Sequence, residues 1–223
     1  MRQAIGDVLP FAIIVMVSPI NIVAAILLLF SKRPLVNASA YLAGFVAGVA
    51  AVVTGLTLLA GAISLQSGGD RSRGAAVAMI VLGVALVGAA VRKFRSRPSP
   101  DEEPALPAWM DGIADFGVGK SLAVGAGIGA GNPKNIAVAV GTAVAVSSTG
   151  LPGAQQAVVL TVYVVLACLG VAAPIVAVLV MGDRSGTVLD GWKAWLTRNN
   201  AAMLAVIYLF LGVLLIGKNL GAV

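Results

Sequence analysis

Asn132-Pro133-Lys134-Asn135-Ile136 interrupts an apolar run reaching from Gly119 to Ser148, and Ser18-Pro19-Ile20-Asn21-Ile22 interrupts the run Ile5–Phe30. Proline removes a helical N–H and its ring clashes with the preceding turn, so the motifs predict broken helices at Pro19 and Pro133. In hydrocarbon, a broken backbone survives only where it is buried in protein or lines a polar cavity. Two such breaks at matching places in two halves point to a transporter built from structural repeats, with its site near the midplane.

The rest of the chain agrees with a membrane setting. Of 223 residues, 59% are hydrophobic and 11% charged, where a soluble domain would carry about 25% charged residues. Six apolar segments follow one another: Ile5–Phe30, Tyr41–Leu65, Gly74–Val91, Gly119–Ser148, Ala157–Met181 and Ala201–Gly217. Each is about long enough to cross a bilayer, and they leave no room for a soluble domain. Arg2 ahead of an apolar run resembles a signal peptide, but the run is long, contains Pro10 and Pro19, and lacks a cleavage region, so retention is expected. The single cysteine, Cys168, excludes an intrachain disulfide, and the absence of histidine removes the usual zinc, copper and haem ligands. No metal or cofactor is expected. The net charge of +6 suits loops facing anionic lipid rather than nucleic acid.

Six spans put both termini on one side. The loops after segments one, three and five carry ten basic residues, the opposite side four, and Lys134 stays within the membrane. The positive-inside rule places the richer side in the cytoplasm and both termini outside, in the plasma (inner) membrane. The longest loop runs from Arg92 through Pro98-Ser99-Pro100-Asp101-Glu102-Glu103-Pro104, a solvated linker, to Trp109, Ile113 and Phe116. That spacing, repeated by Val188, Trp192, Trp195 and Leu196, suits short helices in the headgroup region or ordinary aromatic belting.

The motifs also mark an internal repeat. Pro19, Asn21 and Ile22 recur 114 positions on as Pro133, Asn135 and Ile136, and Leu82–Gly88 resembles Leu211–Gly217 at an offset of 129. Three helices per repeat make the halves inverted, related by a pseudo-two-fold axis in the membrane plane. The expected fold is therefore an all-α integral membrane protein of six transmembrane helices in two inverted three-helix repeats, with helices 1 and 4 broken. Residues 1–91 form the first repeat, 92–118 a cytoplasmic linker with an interfacial helix left open, and 119–223 the second repeat.

Lys134 is the only charge well inside an apolar span. A central lysine costs ~2.5–3.5 kcal/mol even on the lowest scales, so it is expected to face a cavity or a partner. About fourteen residues flank it on either side, or roughly 20 Å of helix, beyond its snorkelling reach. With Ser18, Asn21, Asn132 and Asn135 it forms the expected substrate-binding set, cationic and rich in donors, since half-helix N-termini aim free N–H groups into the same space. The asparagines also suit capping of the broken helices. No acidic residue lies deep in a segment; Asp7, near a helix end, is the nearest candidate counter-ion. Pro174 suggests a hinge in segment five, and the glycines of Gly44–Gly48 and Gly125–Gly131 suggest close helix packing.

On these motifs, the chain resembles the GAP family, the peptidoglycolipid-addressing (Sap, sulfolipid-addressing) proteins of the lysine-exporter (LysE) superfamily. The resemblance covers nearly the whole chain and rests on Ser18-Pro19-Ile20-Asn21 and, more specifically, on Gly131-Asn132-Pro133-Lys134-Asn135. It implies a small exporter and, for this branch, outward movement of envelope glycolipids. The embedded acidic residues of metal-exporting branches are missing.

The resulting expectation is a transporter exporting a lipid or amphiphilic envelope component through a polar midplane site. The alternatives are an exporter of an amino acid or small ion, and a non-transporting accessory protein of a lipid-export machine. An enzyme is not expected, because no nucleophile–base pair, carboxylate dyad or metal set appears. Gly117-x-Gly119-Lys120-Ser121 lacks Walker spacing, so energy would come from a gradient or a partner. The expected partners are membrane lipids and a lipid or small-molecule substrate, with homo-oligomers or a larger lipid-export machinery left open.

Overall fold

A long stretch of Val, Leu, Ile and Ala satisfies all its backbone groups within itself, without water, by coiling into a helix. A computed structural model describes residues 1–66, 72–97, 110 and 112–222. Among them, eight α-helices account for the architecture: α1 (Arg2–Met16), α2 (Pro19–Leu29), α3 (Pro34–Gln66), α4 (Ser72–Arg95), α5 (Val118–Gly131), α6 (Pro133–Ser147), α7 (Gly153–Met181) and α8 (Ser185–Asn219).

Three stretches are long and apolar enough to cross a membrane: Pro34–Ala62, Gly153–Met181 and Ser185–Asn219. A fourth arises if α1 and α2 count as one span bent by 51°. The chain is a membrane protein. The remaining apolar segments are helical too, the uncharged stretch 74–91 in α4 and the broken pair α5–α6.

Glycine determines how closely the helices approach. A β-carbon at Gly44 or Gly48 in α3 would fall on the carbonyl oxygens of Leu122 and Ala126 in α5, and one at Gly125 on that of Tyr41. These helices touch backbone to backbone, the arrangement small-xxx-small spacing permits. The same device joins α4 to α8, where a β-carbon on Gly83 would lie 2.8 Å from the Gly212 carbonyl and one on Gly212 2.7 Å from that of Gly83. Gly170 in α7 seats that helix against the Met16 carbonyl at the end of α1.

Several local expectations need correction. Pro174 lies inside α7, which runs from Gly153 to Met181 without interruption, so a hinge there involves no break in the helix. Val188, Trp192, Trp195 and Leu196 form no separate interfacial helix. They belong to α8, whose 35 residues span about 52 Å and so outrun the ~30 Å hydrocarbon core. Leu196 is buried while Trp192 and Trp195 stay exposed, which is the belt arrangement. Trp109 and the acidic run Asp101–Glu103 lie outside the described residues, but Ile113 and Phe116 are not on the exposed face of a helix. They are buried at the start and just past the end of the short 3-10 helix Ile113–Asp115, which packs on α2.

That turn is latched from α3. The buried Asn37 amide donates to the Phe116 carbonyl and to the Ser31 hydroxyl, both at 2.9 Å, and Ser31 in turn donates to the Leu28 carbonyl at 2.6 Å. Lys120 sits 3.8 Å over the Phe116 ring and adds a cation–π contact. Asn37→Ala leaves the Phe116 carbonyl without this partner and should cost about 1–3 kcal/mol. Thermal melting should show the loss, and limited proteolysis should cut residues 112–117 faster than in wild type. An unchanged melting temperature and cleavage rate would show that the latch contributes nothing.

Candidate functional site

Both proline motifs end one helix and start another. At the first, α1 stops at Met16, Val17 caps it, and α2 begins with Pro19 at its first position. At the second, α5 stops at Gly131, Asn132 serves both as C-cap of α5 and N-cap of α6, and Pro133 is the first helical residue. Proline suits that position because an N–H there has no intrahelical partner in any case. The cost falls on carbonyls of the preceding turn, which lose the N–H four residues ahead.

Those carbonyls are claimed by the residues that the sequence singles out. Gly129, whose i+4 residue is Pro133, and Ile128 both accept from the Asn135 side-chain amide, at 3.5 and 3.2 Å. At the first break the Ser18 N–H turns back to Val15 at 3.3 Å, which frees the Ile14 carbonyl. Lys134 Nζ donates to that carbonyl at 3.0 Å from the other half of the chain. Ile14 lies in the last turn of α1, the negative end of its dipole, so the ammonium has a partial counter-charge without a carboxylate. Lys134 is 3% exposed and so does not snorkel. Asp7 is not its counter-ion, because Asp7 pairs with Lys218 at 2.8 Å on the surface.

The remaining set divides into two groups. Asn132 caps α6 by accepting from the Lys134 backbone N–H at 3.0 Å. Ser18 is the matching N-cap of α2, but its hydroxyl is 1% exposed and has no partner. Asn21 is fully buried, with both its side-chain oxygen and nitrogen unpaired, and Asn135 Oδ1 is likewise unpaired. Burying such groups unsatisfied costs about 1–3 kcal/mol each, so the Ser18 hydroxyl, the Asn21 amide and the Asn135 Oδ1 leave unused bonding capacity at the breaks.

A cavity of about 300 Å³ joins the two motifs, with Ile20 from the first facing Asn132 and Pro133 from the second, and Gly127, Ile128 and Gly131 completing the wall. The breaks therefore approach one another. Of the expected site residues only Asn132 and Pro133 line this cavity; Ser18, Asn21, Lys134 and Asn135 are buried and do not line it. No group of three His, Cys, Asp or Glu able to hold a metal occurs among the described residues.

Three participants escaped the sequence reading. The Ile14 carbonyl is backbone, and no residue type announces it. Tyr41, buried in α3, donates to the Asn21 carbonyl at 3.5 Å, and its α7 counterpart Tyr163 sets its hydroxyl beside the Thr142 side chain of α6. For the tyrosines a signal was present: Tyr41 and Gly48 recur as Tyr163 and Gly170, each 122 positions on, between the offsets of 114 and 129.

A family model described as Sap, sulfolipid-1-addressing protein, matches residues 8–221. No curated protein matches the chain, and neither does any solved structure. The chain belongs to the sulfolipid-1-addressing protein family.

Proposed function

We propose that this protein is an exporter of an anionic lipid or amphiphilic envelope component, working through the paired helix breaks, with Lys134 receiving the anionic group. The observation that carries this reading is the Lys134 ammonium, buried with one neutral acceptor, the Ile14 carbonyl, and no carboxylate partner among the described residues. An ammonium has three donors, so at least one is free for a ligand, and a buried charge without an ionised partner gains strongly from an arriving anion. The family's description names a sulfolipid, and a cationic centre suits a lipid of acidic headgroup. The Asn132 and Asn21 amides and the Ser18 hydroxyl supply the remaining donors, while Asn135 holds the second break through its bonds to the Ile128 and Gly129 carbonyls. In this reading the protein is no enzyme, and it belongs to the LysE superfamily.

The architecture proposed with it has six spans: α1–α2, α3, α4, α5–α6, α7 and α8. Residues 1–91 and 119–223 are inverted repeats joined by the cytoplasmic linker 92–118, and both termini lie outside the plasma membrane. Packing supports the repeat. Exchanging the halves turns α3-on-α5 into α7-on-α1 and α3-on-α6 into α7-on-α2, and all four pairs are in contact. Gly83 and Gly212, equivalent at offset 129, pack on one another, as residues beside a two-fold axis must.

Purified protein in vesicles tests the function. A fluorescent anionic lipid placed in one leaflet should cross faster than in protein-free vesicles, and faster than a zwitterionic analogue. Equal rates with and without protein would overturn the reading. Uptake of an amino acid by the same vesicles would instead favour the small-solute exporter, and inactivity until a partner is added would favour the accessory role.

A further inference from the structure

Lys134, Gly141 and Ser148 recur every seven residues along one face of α6 and its C-cap, and Asp7, Phe11 and Ile14 follow at i, i+4 and i+7 along one face of α1. The two helices are in contact, and these faces meet in order. At the break, Lys134 Nζ donates to the Ile14 carbonyl at 3.0 Å. One turn of α1 away, about 4.5 Å along the axis, the buried Phe11 ring rests on Gly141. A β-carbon on Gly141 would lie 2.7 Å from Phe11 Cε1 and 2.9 Å from Cζ, so the ring occupies the space that a side chain would take. Beyond that contact is a cavity of about 250 Å³, lined by Phe11 and Gly141 towards the break and by Asp7, Ser148 and Lys218 at the other end. The Asp7–Lys218 ion pair there is partly exposed, so the cavity reaches the surface. Ile14 and Lys134 do not line it.

We infer that Phe11 controls access to Lys134: its ring closes the site while it rests on Gly141 and opens it by rotating into the cavity beneath the Asp7–Lys218 pair, the route by which an anionic headgroup passes. The cavity has room for this movement, since one of about 150 Å³ already admits a benzene ring. Gly141 leaves the ring free to turn, because no side chain of α6 holds it at that level. Lys218 is the second cation on the route. Asp7 competes for the same ammonium, so the anion is held there weakly enough to leave. The inference rests on the proposed use of Lys134 for an anionic substrate, but its test reads access to position 134 and not export, so either can fail alone.

The test is the rate at which an anionic, water-soluble methanethiosulfonate modifies Lys134→Cys in purified protein carrying Cys168→Ser. Phe11→Ala should speed the reaction by at least about tenfold, because the buried position no longer waits for the ring to move. Adding Ala145→Trp, which fills the cavity that Ala145 lines, should return the rate to that of the parent. Should Lys134→Cys not fold, Val138→Cys takes its place, fully buried and one turn nearer the cavity along α6. General loosening is read separately, at the native Cys168, which is buried in α7 and does not line the cavity. With Lys134 intact, Phe11→Ala should leave the reaction of Cys168 as slow as in wild type. An unchanged rate at position 134, a fast rate that survives Ala145→Trp, or equal acceleration at Cys168 would each overturn the inference.

Discussion

Lys134→Met should abolish export by reconstituted protein while leaving it folded and at least as heat-stable as wild type. Methionine keeps most of the stem and deletes the ammonium together with its bond to the Ile14 carbonyl. Removing one partner of a buried, hydrogen-bonded charge contact typically costs about 2–5 kcal/mol in binding, so transport should fall by more than about tenfold. Stability moves the other way, because a charge buried against one neutral acceptor has lost its hydration without full repayment. Lys134→Arg should also impair transport, since a planar fork cannot occupy the place of a compact ammonium. Transport and melting temperature must be measured on the same preparation. Normal transport by Lys134→Met would remove Lys134 from the site, and loss of both fold and activity would make it a structural tie.

Gly125→Ala and Gly127→Ala, two residues apart in α5, should have opposite effects. A β-carbon on Gly125 would coincide with the Tyr41 carbonyl and press on the Phe45 backbone N at 3.0 Å, whereas one on Gly127 meets nothing within 4 Å. Backbone cannot rotate aside as a flexible side chain can, so α3 and α5 must separate. The expected cost is about 3 kcal/mol, or a fall of about 6–12 °C in melting temperature for a chain of this size. Gly127→Ala removes only the entropic penalty of glycine in a helix and should stabilise by about 0.5–1 kcal/mol. Equal effects of the two substitutions would mean that α3 and α5 are not in backbone contact.

The sequence was most legible where proline left no alternative. Pro19 and Pro133 have no N–H to donate, and the helices break there to within a residue or two. Gly44 and Gly125 were legible as packing residues for a similar reason, since nothing larger fits between two backbones. Pro174 specified less, because proline inside a long helix can be absorbed without a break, and α7 continues through it. Asp7 misled because charge alone says nothing about distance, and Lys218, 211 positions away, holds it. The partner of Lys134 could not be read at all. It is a main-chain oxygen, freed by a turn whose geometry no residue type specifies, and only the folded chain reveals that the isolated lysine has an electrostatic partner. The Ile113–Phe116 segment looked amphipathic and interfacial because its spacing is that of a surface helix. Asn37, 79 positions from Phe116, draws it instead into the protein.

The central claim is that the two halves are inverted with their breaks apposed, and sidedness tests it most directly. Lys32→Cys follows the first broken helix and Ser148→Cys the second, at corresponding ends of the halves and both at exposed positions. On a Cys168→Ser background in intact cells, an impermeant maleimide should label Ser148→Cys from outside and reach Lys32→Cys only after the membrane is opened. Labelling of both from the same side would mean that the halves run in parallel, and the inverted repeat, with the midplane site between its two breaks, would be contradicted.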